Sequence, residues 1–203
     1  MSSHSQHGQD KVYIEKYMPT GKKGYFIEMG AADGVANSNT LVLEKKYGWN
    51  GVCIEANDKV FPSLQKNRKC TVINAACSAY PGESLDFVYS NQFSGFMKFS
   101  KLHRKNLKRK HASGFFNTKT SCTLTEVLEQ VSAPSLIDFF SLDVEGAELE
   151  VLQGLDFYKY KINCILVEHN NEQPKRYHIR KLLEAKGYLR DMCVGLDDFY
   201  KLQ

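Results

Sequence analysis

The chain has 203 residues, of which 42% are apolar and 25% charged, and this composition excludes a disordered or fibrous protein. Its net charge of +4 is too small to indicate nucleic-acid binding by itself, and no stretch approaches the roughly 18 apolar residues of a membrane span. We therefore expect a single domain over residues 1–203 without a membrane partner. Six scattered cysteines without metal-ligand spacing, and an N-terminus without a signal peptide's apolar core, predict reduced thiols and a cytoplasmic protein.

Strands and helices are predicted to alternate over much of the chain, which indicates a parallel sheet with right-handed crossovers. The predicted strands are 25–29, 51–55, 71–74, 85–89, 136–142 and 162–167, followed by an antiparallel pair, 188–194 and 199–202. The predicted helices are 11–18, 38–47, 58–67, one opened by a Thr123–Glu126 capping box, 147–155 and 174–186. Between the third and fourth long strands lies a basic block, 98–110, which contains no acidic residue.

The first strand ends at Glu28 and runs into a glycine turn, Gly30 to Gly34, and then a polar cluster of Ser38, Asn39 and Thr40. A strand, a tight turn and a helix start form the cofactor cradle of open α/β sheets. Gly30 would let the chain reverse, Gly34 would let the backbone approach a ligand, and Ser38 or Asn39 could cap the helix.

The acids near this turn favour a positively charged cofactor. Asp33 places a negative charge in the turn, which would repel a dinucleotide's pyrophosphate and suits the sulfonium and ammonium groups of S-adenosylmethionine, although it could also simply cap the turn. Glu55 ends the second strand about 20 residues after Gly34, where a carboxylate grips ribose hydroxyls in such sheets.

The chain resembles the FkbM-type methyltransferases, a class I family that depends on S-adenosylmethionine and mostly methylates hydroxyl oxygens of sugars and secondary metabolites. The most specific match is Asp-Val-Glu-Gly-Ala-Glu at 143–148 followed by Leu-Gln-Gly at 152–154. The other matching segments are 5–10, 28–40, 51–57 and 167–169. The resemblance implies a Rossmann-like seven-stranded sheet in the order 3-2-1-4-5-7-6, with strand 7 antiparallel, helices on both faces and ligands above the carboxyl ends of the strands.

This fold predicts an active site at one rim of the sheet. Asp143 is the leading catalytic candidate and would also lie beside the cofactor's methionyl end. Glu145 could share the catalytic task or complement a helix dipole, and His169 could be the base or a structural residue. The predicted cofactor contacts are Glu28, Gly30, Asp33, Gly34, Ser38, Asn39, Thr40, Glu55, Asn74, Ala75, Ala76 and Asp143. Asp143, Glu168 and Asn170 could chelate a divalent cation, but the family is not generally metal-dependent and we predict no metal.

Two flanking segments are expected to cover the site. Residues 1–20, with Gln6, Gln9 and Asp10, would fold over the cofactor, and the basic insertion, 91–118, is either a solvated surface or a lid that attracts an anionic acceptor. We predict O-methylation of a hydroxyl on a sugar, glycan or small metabolite. The alternatives are an RNA-directed methyltransferase that uses the basic block, an inactive cofactor-binding scaffold and, more remotely, an NAD-linked oxidoreductase.

Overall fold

A computed structural model describes residues 4–90, 93–100 and 104–203, and shows two sheets with helices packed around them. In chain order the strands are β1 (Tyr25–Met29), β2 (Asn50–Glu55), β3 (Thr71–Asn74), β4 (Ala76–Cys77), β5 (Ser84–Val88), β6 (Gly95–Phe96), β7 (Phe116–Cys122), β8 (Leu136–Leu142), β9 (Lys161–Glu168), β10 (Tyr188–Val194) and β11 (Asp197–Leu202). The helices are α1 (Gln9–Lys16), α2 (Leu41–Tyr47), α3 (Phe61–Asn67), α4 (Arg104–Ala112), α5 (Leu124–Gln130), α6 (Glu148–Gln153) and α7 (Gln173–Ala185).

The main sheet has seven strands in the order β3-β2-β1-β8-β9-β11-β10. Numbered along the chain within this sheet, that order is 3-2-1-4-5-7-6, and β11 is antiparallel to both of its neighbours while the other pairs are parallel. The predicted fold class is therefore confirmed. Because β1, β2, β8 and β9 run in the same direction, the residues that follow them gather at one rim.

Helices cover both faces of this sheet, as the nearly continuous apolar strands require. Successive residues of β1 point to opposite sides: Phe26 packs with Tyr13 of α1, and Ile27 packs in the layer formed with α5, α6 and α7. Both strand residues are fully buried. The two apolar layers hold the sheet rigid, so the rim residues sit on a fixed frame.

Most predicted elements are present, with shifted ends. The helix predicted at 38–47 begins at Leu41, because the three preceding polar residues bond to Glu28. The helix predicted at 58–67 begins at Phe61, because the Asn57 side chain accepts the Lys59 N–H and holds a turn before it. The capping box of α5 is confirmed in both directions.

The second sheet, in the order β4-β7-β5-β6, was not predicted apart from β5. Its longest missed strand, β7, reads Phe-Asn-Thr-Lys-Thr-Ser-Cys, which lacks a run of apolar residues. The basic block becomes helix α4, which buries Leu107 and lies against β5. Residues 1–3, 91–92 and 101–103, including the predicted basic residues Lys101 and His103, lie outside the described residues.

Among the described helices, none combines the length and the apolarity that a bilayer-crossing segment needs. All six cysteines are free thiols, and both Cys53 and Cys164 are buried in strands, as expected from their apolar surroundings.

Candidate active site at the carboxyl ends of the strands

A cleft of about 510 Å³ opens at the rim where β1, β2, β8 and β9 end. The predicted residues that line it are Glu28, Gly30, Asp33, Ser38, Asn39, Glu55, Ala75, Asp143 and Glu145. Gln6 of the N-terminal segment and Glu168 and Asn170 beyond β9 also line it. The rim thus brings together the two acids, Glu55 and Asp143, that the sequence places 88 residues apart in the chain.

Gly30 joins the ends of β1 and β8. Its φ is +80°, and a Cβ at this position would lie 1.6 Å from the carbonyl oxygen of Asp143. The Asp143 N–H donates to the Met29 carbonyl at 3.0 Å, so the two strand ends are tied directly together. A side chain at position 30 would force them apart, and Gly30 therefore fixes where Asp143 stands in the cleft.

Glu55 is held by the backbone at the end of β2. Its two carboxylate oxygens accept the N–H groups of Ala32 and Asn57, each at 2.7 Å. Burial raises the pKa of Glu55, and these N–H groups offset part of the rise. Each carboxylate oxygen has a second acceptor site, so the pair can still receive two hydroxyl donors from a ligand.

Asp33 caps its own turn. Its Oδ1 accepts the N–H groups of Val35 and Ala36, both at 2.9 Å, while the residue also lines the cleft. The two interpretations drawn from the sequence are thus compatible, because the capped carboxylate still adds negative charge to the cleft wall.

An acidic corner, formed by Asp143, Glu145 and Glu168, closes the other end of the cleft. Burial raises the pKa of Asp143 and of Glu168, and the repulsion between the two carboxylates adds to the rise for Glu168. Burial also raises the pKa of Glu145 to about 8, with the charges of Asp143 and Glu148 adding to it. We infer that Asp143 and Glu168 share a proton near neutral pH.

Glu148 organises this corner and was not among the predicted site residues. Its Oε1 accepts the N–H groups of Val144 and Gly146 at 3.1 Å, and Lys175 Nζ lies 2.7 Å from its Oε2. This bonding holds Glu145 in the left-handed region, at φ 54°. Glu148 is fully buried. It is the last residue of the Asp-Val-Glu-Gly-Ala-Glu run, and its place in that run is the sequence signal that could have identified it.

Residues 28–190 match the family model for the methyltransferase FkbM domain, which is about four-fifths of the chain. The chain belongs to the FkbM methyltransferase family. No curated protein matches it significantly.

Solved structures that resemble this FkbM-family chain are methyltransferases of distant sequence. The methyltransferase FkbM from Methylobacillus flagellatus KT is 12% identical with a TM-score of 0.55, over 95% of this chain and 50% of that one. The precorrin-6y C5,15-methyltransferase from Geobacter metallireducens GS-15 is 11% identical with a TM-score of 0.52, over 94% and 84%. The N-terminal domain of human METTL16 in complex with SAH is 11% identical with a TM-score of 0.50, over 96% and 66%. These likenesses show the fold alone, and the chain spans half the length of the Methylobacillus protein.

Five predicted site residues of this family member lie outside the cleft lining: Gly34, Thr40, Asn74, Ala76 and His169. Gly34 approaches protein rather than ligand, since a Cβ there would lie 2.6 Å from the Arg68 side chain. The Asn74 side chain donates to the Glu55 carbonyl, and Ala76 pairs with Ser121 in the second sheet. Each of these positions is therefore occupied by a contact within the fold.

His169 is buried behind the rim. Its Nδ1 accepts the Asn171 N–H at 3.0 Å, and its Nε2 lies 3.5 Å from the Cys193 sulfur. Burial lowers the pKa of His169. Since the ring does not line the cleft, the structural interpretation of His169 fits these contacts and the interpretation as a base does not.

Glu28 forms a buried network with the predicted polar cluster. Its carboxylate accepts from the Ser38 hydroxyl, the Asn39 N–H and the Thr40 hydroxyl, and pairs with Arg68 Nη1 at 2.7 Å. Glu28 and Ser38 line the cleft, but these contacts occupy the carboxylate, and Thr40 is wholly buried. Their bonding explains the positions of these residues without a ligand.

A cation could reach Asp143, Glu148 and Glu168, whose candidate ligand atoms lie within 4.8 Å of one another. Asp143 and Glu168 belong to the set in the sequence hypothesis, and its third member, Asn170, donates its amide N–H to Glu168. Lys175 pairs with Glu148, so one cationic group already lies beside these three acids.

Proposed function

We propose that the chain is an S-adenosylmethionine-dependent methyltransferase that methylates a hydroxyl of a sugar, glycan or small metabolite. The observation that carries the proposal is that Glu55 and Asp143 line one cleft together with Gly30, at the ends of β2 and β8. Glu55 would bind a ribose diol, and Asp143 would face the reacting end of the ligands.

The chemistry of the cleft suits this cofactor. Six acidic side chains line it, of which Glu28 is paired with Arg68, and among the described residues no lysine or arginine does, so a cation is favoured over a phosphate. The buried Oδ1 atoms of Asn39 and Asp143 find no donor within the described part of the chain. An ammonium group would supply such donors. A volume of about 510 Å³ is within the usual range for a small-molecule site.

The protein's part in the reaction follows from the acidic corner. The cofactor, when bound, supplies a methyl group on a sulfonium, which is already electrophilic. Asp143 would orient the acceptor hydroxyl and take its proton, and its raised pKa suits proton transfer near neutral pH. Glu168 would share that proton, and Glu145 would add a second acceptor at the cleft wall. Gly30 would keep Asp143 in line with the cofactor site.

Calorimetry with S-adenosylhomocysteine tests the cofactor site. We expect the wild-type chain to bind it and Glu55→Gln to bind about 10- to 100-fold more weakly, because a charged acceptor of two hydroxyls is lost. Glu83→Gln, an exposed acid paired with Lys98, is the matched control and should bind like wild type. Preference for NAD over S-adenosylhomocysteine, or equal binding by Glu55→Gln, would overturn the assignment.

A further inference from the structure

A cluster of two lysines and two aromatic rings lies beside the cleft. This mouth cluster consists of Lys59, Tyr89, Lys110 and Phe115. The Lys59 ammonium lies 4.0 Å from the Tyr89 ring centre and 5.7 Å from that of Phe115, and Lys110 lies 4.9 Å from Phe115. Phe115 is 49% exposed, so the cluster presents both positive charge and an apolar ring to solvent.

The mouth cluster adjoins the cleft wall at two places. Lys59 lies between Asn57 and Val60 in the chain, both of which line the cleft, and its N–H donates to the Asn57 side chain. The Tyr89 ring is 5.8 Å from that of Phe87, another lining residue. The mouth cluster therefore lies next to the part of the cleft wall that Asn57, Val60 and Phe87 form.

Helix α4 extends the positive charge beyond the mouth cluster. It exposes Arg104, Lys105, Lys108 and Arg109, and residues 93–112 contain no acid. Among the described residues of this segment, ion pairs join only Lys98 to Glu83 and His111 to Asp86. Like charges on neighbouring helical turns destabilise a helix, so an anionic partner would relieve this repulsion.

This surface is basic, whereas the cleft is lined by six acidic side chains and, among the described residues, by no lysine or arginine. We infer that the acceptor is an anionic saccharide, whose neutral hydroxyl enters the cleft while its sulfate, phosphate or carboxylate groups bind the mouth cluster and α4. This inference rests on the proposed function and specifies its substrate class. The half-exposed Phe115 ring offers an apolar face for a sugar ring.

The same contrast disfavours a nucleic acid as the acceptor. Each ribose in a nucleic-acid chain is flanked by phosphates, so a ribose hydroxyl in the cleft would bring phosphates against a wall with six acidic side chains and, among the described residues, no lysine or arginine. In a saccharide the anionic groups can lie a ring or more from the reacting hydroxyl, outside the acidic cleft. An acidic cleft beside a basic surface therefore favours a saccharide over a nucleic acid as the acceptor.

Binding of dextran sulfate oligosaccharides and of neutral dextran of equal length, each to the chain saturated with S-adenosylhomocysteine, tests the inference. We expect the sulfated chain to bind, with affinity that falls as salt rises, and the neutral chain to bind at least about tenfold more weakly. The Lys59→Gln/Lys110→Gln double variant should lose about tenfold in affinity for dextran sulfate while keeping its affinity for S-adenosylhomocysteine.

A matched control exists at the opposite rim of the sheet, where β9 begins. Lys161 and Lys186 lie 5.8 Å and 5.3 Å from the exposed ring of Tyr158, and Lys161→Gln/Lys186→Gln should bind dextran sulfate like wild type. Equal binding of the two dextrans, equal losses in the two double variants, or tighter binding of an oligouridylate of equal charge would overturn the inference. Failure of S-adenosylhomocysteine binding would instead overturn the proposed function. Transfer of labelled methyl to sulfated or to phosphorylated oligosaccharides then identifies the anion.

Discussion

Two groups of acids stand at the same rim of the sheet, and their surroundings differ. Glu28 is surrounded by donors, with Arg68 Nη1 at 2.7 Å and two hydroxyls and an N–H on its oxygens. Asp143 and Glu168 face each other and Glu145, and the one lysine described nearby, Lys175, pairs with Glu148. Glu28 is paired with a cation within the fold, whereas burial raises the pKa of Asp143 and of Glu168, so the fold disfavours their charged forms.

This difference distinguishes an acid with a structural role from one that is available for catalysis. Both groups occupy strand ends, where sequence reasoning places active-site residues, but a carboxylate that has satisfied its acceptors has little left to offer a ligand. A buried carboxylate with a raised pKa can exchange protons near neutral pH. Stability measurements should therefore move in opposite directions when the two groups are changed.

The largest expected effect is on the neutralised group. Arg68→Met should lower the free energy of unfolding by about 3–5 kcal/mol, because it leaves Glu28 and Glu44 buried without their cation. Arg180→Met, which breaks an exposed pair with Glu184, should leave the free energy of unfolding close to that of the wild type. Denaturant unfolding measures both, and equal losses would contradict the structural role of Glu28.

A smaller effect of opposite sign is expected in the acidic corner. Glu168→Gln should raise the free energy of unfolding at pH 8 by about 1 kcal/mol, because Glu168 is ionised in the unfolded chain and must take up a proton to be buried beside Asp143, whereas Gln is neutral in both states. The gain should shrink as the pH falls toward 4, where the carboxyl is protonated in both the folded and unfolded chains. Denaturant unfolding at both pH values checks this. A loss of stability at pH 8 would show that Glu168 is a structural acid like Glu28.

The smallest effect concerns Glu145, which is partly exposed. Its pKa of about 8 lies above that of the unfolded chain, so the folded chain binds the proton more tightly and stability falls as the pH rises from about 4 to 8. Glu145→Gln should flatten this fall by a few tenths of a kcal/mol. Thermal unfolding across that range checks the sign, and an unchanged pH profile would place Glu145 in contact with solvent.

The main sheet was predictable because its strands carry a strong local signal. Phe26 and Ile27 belong to an apolar run that is buried on both faces, and the run ends where polar residues begin. The second sheet lacked such a signal: Phe87 of β5 pairs with Asn117 of β7, a residue of a largely polar strand. The pairing of β5 with β7 joins residues about 30 positions apart, and no local pattern predicts it.

The sequence predicted those site residues that stand at the ends of strands, and it predicted little of what their side chains contact. Parallel strands bring Glu55 and Asp143 to one rim whatever their side chains contact. That Glu28 is paired depends on Arg68, which lies 40 residues further along the chain after α3. The position of His169 depends on the left-handed Asn170 and Asn171 that turn the chain behind the rim. Neither contact has a local sequence signal.

The most direct test of the account compares methyl transfer and cofactor binding in Asp143→Asn. The assay follows transfer from labelled S-adenosylmethionine to a pool of neutral and sulfated oligosaccharides, with S-adenosylhomocysteine calorimetry on the same samples. We predict that turnover falls by about 10²–10⁴-fold and that affinity for S-adenosylhomocysteine falls far less, because Asp143 takes the proton of the acceptor hydroxyl. Wild-type turnover in Asp143→Asn, or a wild-type chain that binds the cofactor without transferring methyl, would contradict the account.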